Sequence, residues 1–212
     1  MQIYDIEQRT PEWHALRMGV PTASDFNKAI TPKQGKPSTQ AAPYAAKLAL
    51  EMYLQKPCED FGGTEWMDRG VGLEGEAIAQ YEMINNLDVE QVGFVLDDVG
   101  RGCSPDGLVG DAGMVEVKCL KPENHVAAML SYDETHKCDA KYFAQTQGQM
   151  LIAGRQWCDL IFFSPGLPLL VIRQMPDEKY CENLNSALGL ILEYRDRALG
   201  LLRTQTEGKD TA

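Results

Sequence analysis

Between Gln91 and Cys119 the apolar residues fall into a period of two, in three short runs, "QVGFVLD", "GCSPDGLVG" and "GMVEVKC". Alternation at that period predicts half-buried strands, and the Gly- and Asp-rich breaks predict tight turns, so the stretch reads as an antiparallel meander. The third run sets the faces. On a strand, Val115, Val117 and Cys119 project to one side and Glu116 and Lys118 to the other. If residues 110–113 close a hairpin, Asp106 lies opposite the charged pair.

Two readings of this arrangement stay open on spacing alone. Ser104-Pro105-Asp106-Gly107 is good turn vocabulary, with Pro presetting φ, Asp bonding its own backbone and Gly supplying permissive geometry; Glu116 and Lys118 would then be an exposed ion pair. In the other reading, Asp106, Glu116 and Lys118 converge on one metal ion, which relieves the repulsion between the two carboxylates. Magnesium suits such a site, because it is a hard ion held by one or two carboxylates with phosphate and water. Phosphodiester cleavage supplies that phosphate, and Lys118 would position the nucleophile or offset developing charge. His14, His125 and His136 have no nucleophile motif near them, and Cys58, Cys103, Cys119, Cys138, Cys158 and Cys181 form no C-x-x-C pair, so neither a zinc nor an iron-sulfur site is signalled.

The 212 residues carry a formal net charge of -11, which counts against a broad contact with nucleic acid driven by counterion release. A DNA partner then requires its cations gathered in a groove or channel. No apolar run is long enough to cross a bilayer, and the N-terminus "MQIYDIEQRTPEWHALR" lacks a signal-peptide pattern, so the expected location is the cytoplasm, with no membrane partner.

Elsewhere the pattern is helical. "RTPEWHALRMG" offers Thr10 as N-cap, Pro11 at the first position and Gly19 as a stop; "PTASDFNKAI" repeats this with Thr22 as cap and Ser24 in the first turn, a natural anion site. "TPKQGKPSTQ" is a loop and "AAPYAAKLALEMYL" a helix. Residues 66–86 read as a longer helix despite Gly70, Gly72 and Gly75, an expense that suggests close backbone approach. Helices are expected over 122–131 and 140–154, buried strands at "WCDLIFFS" and "LPLLVIRQM", and a final helix from Pro176 to about Leu202. The order predicts one domain over residues 1–202, an α/β (α+β) fold with a central mixed β-sheet flanked by helices, and a polar, disordered tail over 203–212.

Five blocks in order, "WHALRMGVPTASD", "RGVGLEGEA", "CSPDGL", "VEVKC" and "YFAQTQGQM", resemble the lambda-exonuclease family of phage recombination nucleases (YqaJ-like viral recombinases and phage alkaline exonucleases), within the PD-(D/E)XK superfamily with its restriction-endonuclease-like fold. The resemblance runs from about Trp13 to Tyr180, and the ordered set favours the metal reading of residues 102–119.

Carried over residue by residue, the resemblance implies that Asp106 and Glu116 are metal ligands, with the Val117 carbonyl as a third protein oxygen, and that Lys118 is the catalytic lysine. Glu74 matches the family's helix-borne acidic residue, which holds a second metal or its water, and Gln145 matches the glutamine of the Y-x-A-Q-x-Q block. Arg17 and Ser24 match residues that bind a terminal 5′-phosphate, and Lys33 and Lys36 are candidates for DNA contact. The implied cofactor is Mg2+, with Mn2+ as a substitute. The implied partners are linear double-stranded DNA, two further copies of the chain in a toroidal homotrimer, and a single-strand annealing protein, in a phage- or prophage-encoded protein of the bacterial host cell. "HKCDAKY" does not align with the family, which leaves substrate contacts between 120 and 139 unassigned.

The implied activity is Mg2+-dependent, processive 5′-to-3′ digestion of one strand of linear duplex DNA from 5′-phosphorylated ends to mononucleotides, leaving 3′ overhangs for strand-annealing recombination. Two alternatives remain. One is another PD-(D/E)XK nuclease, a repair nuclease acting on single strands or a restriction-type endonuclease, the latter favoured by cleavage of closed circles; the other is a non-catalytic scaffold recruiting an annealing protein, against which the presence of Asp106, Glu116 and Lys118 together argues.

Overall fold

The computed structural model describes residues 1–58 and 65–207, of which 65–71 and 206–207 are described as backbone only. In chain order the elements are β1 (Gln2–Tyr4), α1 (Pro11–Arg17), a 3-10 segment (Ala23–Lys28), α2 (Ala41–Leu54), α3 (Glu65–Asn85), β2 (Phe94–Leu96), β3 (Gly102–Cys103), β4 (Gly107–Val109), β5 (Gly113–Cys119), α4 (Pro122–Thr135), α5 (Ala140–Ala153), β6 (Trp157–Phe163), β7 (Leu170–Gln174) and α6 (Glu178–Glu207).

Two sheets form, flanked by helices. One is β1-β2-β3, antiparallel; the other is mixed, in the order β4-β5-β6-β7. β5 and β6 are parallel over their whole length, Gly113 beside Trp157 and Cys119 beside Phe163, because the chain between them crosses over through α4 and α5. β4 and β7 close the edges antiparallel.

The alternation on β5 sorts its side chains between two cores. Val115 and Val117 pack with Ile161 and Phe163 against Ala77, Ile78 and Tyr81 of α3. Met114, from the opposite face, joins the larger core with Ala144 and Met150 of α5, Leu48 of α2, and Leu184, Leu188 and Ile191 of α6. Glu116 and Lys118 share that opposite face and therefore enter the protein towards α5. On the sheet face with α3, the buried Asp159 accepts two bonds from Arg173 at 2.8 Å each and one from the Tyr81 hydroxyl at 2.7 Å.

Several sequence expectations need correction. The meander is broken: β2 and β3 pair in one sheet, whereas β4 and β5 pair in the other, with Ser104, Pro105 and Asp106 carrying the chain across. The second short helix is a six-residue 3-10 segment, and the Thr22 side chain makes no capping bond to it. Backbone approach does not explain Gly72 or Gly75, since a Cβ at either meets nothing within 4 Å; Gly70 lies outside the residues described with side chains. Helix α6 runs through residues 203–207, placed in the tail by the sequence; 208–212 lie outside the described residues. Strand β1 is too short to leave a periodic signal.

Close approach does govern Gly148 on α5, where a Cβ would stand 2.2 Å from the fully buried ring of Phe26. Gly148→Ala should destabilise the fold by about 1–3 kcal/mol through overpacking. Gly189→Ala in α6, whose Cβ meets nothing within 4 Å, should stabilise it by about 0.5–1 kcal/mol through helix propensity. Chemical denaturation checks both, with midpoints expected to move in opposite directions.

Candidate active site

The register that pairs Gly107 with Val115 sets Asp106 opposite Glu116 at the point where β4 begins. Residues opposite one another on antiparallel strands share a face, and like charges there are destabilising. The Asp106 N–H donates to the Val115 carbonyl at 3.2 Å, and its Oδ2 accepts the Val117 N–H at 2.6 Å. The N–H and C=O of a strand residue leave on the same edge, so the Val117 carbonyl also faces the Asp106 side.

Glu116 is 4% exposed, and burial of its charge requires donors. It has three: Lys118 Nζ at 2.5 Å and Gln145 Nε2 at 2.6 Å on Oε1, and Gln149 Nε2 at 2.6 Å on Oε2. Gln145 and Gln149 are one helical turn apart on α5, hence on one face. Gln149 was not anticipated, although its i+4 spacing from Gln145 signals it. The neighbouring Gln147 points elsewhere, donating to the Met175 carbonyl at 2.9 Å and accepting the Asp177 N–H at 2.7 Å.

Two groups here are shifted, Asp106 and Lys118. Burial, then the charges of Glu116 and Glu74, push the proton affinity of Asp106 well above the ordinary carboxylate range, against the opposing pull of Lys118 and the Val117 N–H. For Lys118, burial disfavours the ammonium, but Glu116 and Asp106 outweigh it and lift its pKa above that of a free lysine. Lys118 is accordingly a cation here, 5.5 Å from the centre of the Tyr142 ring.

Glu74 faces the same region from α3 but bonds to Arg9, Nη2 to Oε1 at 2.9 Å. Glu74 and Asp106 line one cavity of about 570 Å³ with residues 5–9 and 91–93. Among the described residues no three His, Cys, Asp or Glu side chains close on one point. What lies together is Asp106 opposite Glu116, with the Val117 carbonyl on the Asp106 side, an all-oxygen set in which Asp106 has a raised proton affinity. That donor chemistry fits a hard divalent cation.

Arg17 and Ser24 are also brought together. The Arg17 guanidinium donates to Ser104 Oγ at 3.4 Å, Thr22 Oγ1 at 3.2 Å and Ser24 Oγ at 3.4 Å, and stacks 4.0 Å from the Trp13 ring centre. Burial lowers its pKa, partly offset by Tyr44 and Asp25. Arg17, Thr22 and Ser24 line a cavity of about 230 Å³ with Tyr44 and Lys47. Ser104, two residues before Asp106, also accepts the Trp13 indole N–H at 2.9 Å, so one short segment joins this cluster to the carboxylates. Gln8 secures the same segment by donating to the Pro105 carbonyl at 3.1 Å and the Val92 carbonyl at 2.9 Å. Nothing in the spacing of Gln8 or Arg9 signalled these partners. Lys33 and Lys36 are exposed in the loop before α2, and Lys33 lines a separate groove with Lys137 and Lys179.

The model of the YqaJ-like viral recombinase domain matches residues 12–156. The chain is similar to an alkaline exonuclease, LHK-Exo, from Laribacter hongkongensis, at 29% identity over 94% of this chain and 99% of that one, with a TM-score of 0.80. The structure of LHK-Exo in complex with dAMP matches at the same identity and coverage with a TM-score of 0.81. A phage-related exonuclease from Haemophilus somnus 129PT shares the fold, at 14% identity over 86% of this chain and 96% of that one, TM-score 0.69. No curated protein sequence matches.

The raised proton affinity of Asp106 has a sign that can be checked in metal-free protein. A carboxyl with a folded pKa above its unfolded value of about 3.9 penalises the fold as pH rises past that value, because the ionised form is the one disfavoured. Asp106→Asn, which keeps an acceptor for the Val117 N–H, should therefore raise the thermal midpoint at pH 7 in chelator, with the gain shrinking towards pH 3. Melting curves of the two proteins across that range provide the check.

Proposed function

The chain belongs to the YqaJ-like viral recombinase domain family, and from that membership together with the site we propose that it is a metal-dependent exonuclease of linear duplex DNA. It digests one strand in the 5′-to-3′ direction from a phosphorylated end, processively, and leaves a 3′ overhang for strand annealing. The observation that carries this reading is Asp106 set opposite Glu116, with Lys118 bonded to Glu116 and the Arg17–Ser24 cluster joined to them through Ser104. LHK-Exo forms a complex with dAMP, a mononucleotide, which supports mononucleotides as the products here. The PD-(D/E)XK assignment, a homotrimer and an annealing partner in the bacterial cytoplasm are part of the same reading.

Asp106, Glu116 and the Val117 carbonyl would hold Mg2+, or Mn2+ in its place, with Glu74 recruited from α3 to a second ion or its water. The ion, when bound, supplies Lewis-acid polarisation of the scissile phosphate and acidifies water. Lys118, kept protonated by its carboxylate neighbours, is a hydrogen-bond donor and positive charge for the oxygens of the phosphate as negative charge develops there. Gln145 and Gln149 fix the Glu116 carboxylate, so its geometry is set before substrate arrives. Arg17 offers a planar fork to the 5′-terminal phosphate, with the Ser24 hydroxyl as a second donor.

The test is a time course on linear duplex carrying a 5′-phosphate at one end and a 5′-hydroxyl at the other, with Mg2+ or chelator, following each strand. Mg2+-dependent loss of the phosphorylated strand from its 5′ end, with the complement surviving, is the expected result; cutting of closed circles would instead support an endonuclease. Lys118→Ala should reduce cleavage about 100-fold or more, as loss of a charge-stabilising donor does, and full activity in that variant would sink the assigned chemistry. Arg17→Ala should chiefly slow digestion that starts from the phosphorylated end.

A further inference from the structure

Arg9 has an unusual position for an arginine. Its φ is 71°, in the left-handed region that favours glycine. Both neighbours are tied down: Gln8 is bonded to the Val92 and Pro105 carbonyls, while the Thr10 hydroxyl donates to the Glu7 carbonyl and accepts the Trp13 N–H. The turn therefore holds Arg9 at the cavity that contains Asp106, and its guanidinium is spent on Glu74. Burial does not explain the residue, since its side chain is 47% exposed against 28% for Glu74.

We infer that Arg9 is the resident counter-cation of the acidic site, a positioning residue that holds Glu74 away from the metal ligands until a divalent ion displaces it. The inference rests on the metal reading above. Asp106 and Glu116 are already opposed, and Glu74 is the third carboxylate whose charge reaches Asp106. A divalent ion that takes Glu74 as a ligand competes with Arg9 for it, because Glu74 Oε1 already carries the Arg9 bond. Lys118 is different in kind: it sits on a central strand, 22% exposed, and bonds a carboxylate that two glutamines also hold. Arg9 stands on a turn and holds its partner by one bond, which makes it the cation that yields.

The test is calorimetric titration of the full chain with Mn2+ alone, without DNA. Arg9→Gln and Arg9→Gly should both bind Mn2+ about fivefold more tightly, the scale of one partly exposed ion pair. The glycine variant suits the backbone, so folding is preserved. Arg9→Lys should restore wild-type affinity, because the competing charge is back. In a Glu74→Gln background, Arg9→Gln should change the affinity little. Unchanged or weaker Mn2+ binding in both Arg9 variants overturns the inference, as does a full tightening that persists without the Glu74 carboxylate. A wild-type chain that binds no Mn2+ overturns the metal reading itself, and the inference with it.

Discussion

A carboxylate buried between a sheet and a helix sets the terms for this molecule. Glu116 is almost wholly removed from water, so the fold must bring it donors, and three arrive from two elements: Lys118 on its own strand, and Gln145 and Gln149 from α5. Leaving such a charge unpaired is among the larger penalties a fold can carry. The requirement propagates outward. Helix α5 must lie with Gln145 and Gln149 towards β5, and Gly148, one turn on from Gln145, then meets the 3-10 segment, where the absence of a side chain lets the Phe26 ring approach. That segment carries Ser24, so the helix that holds Glu116 also backs the segment that sets Ser24 beside Arg17.

The second constraint is the crossing between the sheets. Asp106 reaches its place opposite Glu116 only because the chain leaves one sheet after Cys103 and enters the other at Gly107. In this three-residue crossing only Asp106 bonds a strand, β5, and the N-terminal segment holds the other two: Gln8 bonds Pro105, and Trp13 and Arg17 bond Ser104. The Arg17–Ser24 cluster and the carboxylates are thus joined through one braced segment, so a disturbance of residues 8–17 reaches Asp106 through Ser104 and Pro105.

How much of this was legible follows from the range of each interaction. The alternation of "GMVEVKC" put Glu116 and Lys118 on one face, and the hairpin at residues 110–113 put Asp106 across from them, because both are local consequences of a two-residue period. Thr10 capping α1 was equally local, and its bond to the Trp13 N–H is present. What failed was long-range. Periodicity cannot say which strands pair, so three runs in a row read as one meander although they divide between two sheets. Glycines in a helix can serve packing or leave open space, and sequence does not distinguish them: Gly148 lies under Phe26, while Gly75 borders the open cavity beside Glu74. The family resemblance implied roles for Glu74 and Arg17, but it named neither Arg9, 65 residues from Glu74, nor Ser104, 87 residues from Arg17, as a partner.

The same logic explains how an acidic chain tolerates an acidic site. With a net charge of -11, the protein has few cations to spare, and many are committed close to home: Arg101 to Asp97, Arg173 to Asp159, Lys118 to Glu116 and Arg9 to Glu74. The last two flank the opposed carboxylates, one on the rigid strand and one on a solvent-facing turn. Opposed like charges on paired strands weaken a sheet, so an unliganded site of this kind must be compensated by something within the fold. Two cations of unequal exposure achieve this, a strand lysine 22% exposed that bonds Glu116 and a turn arginine 47% exposed that bonds Glu74.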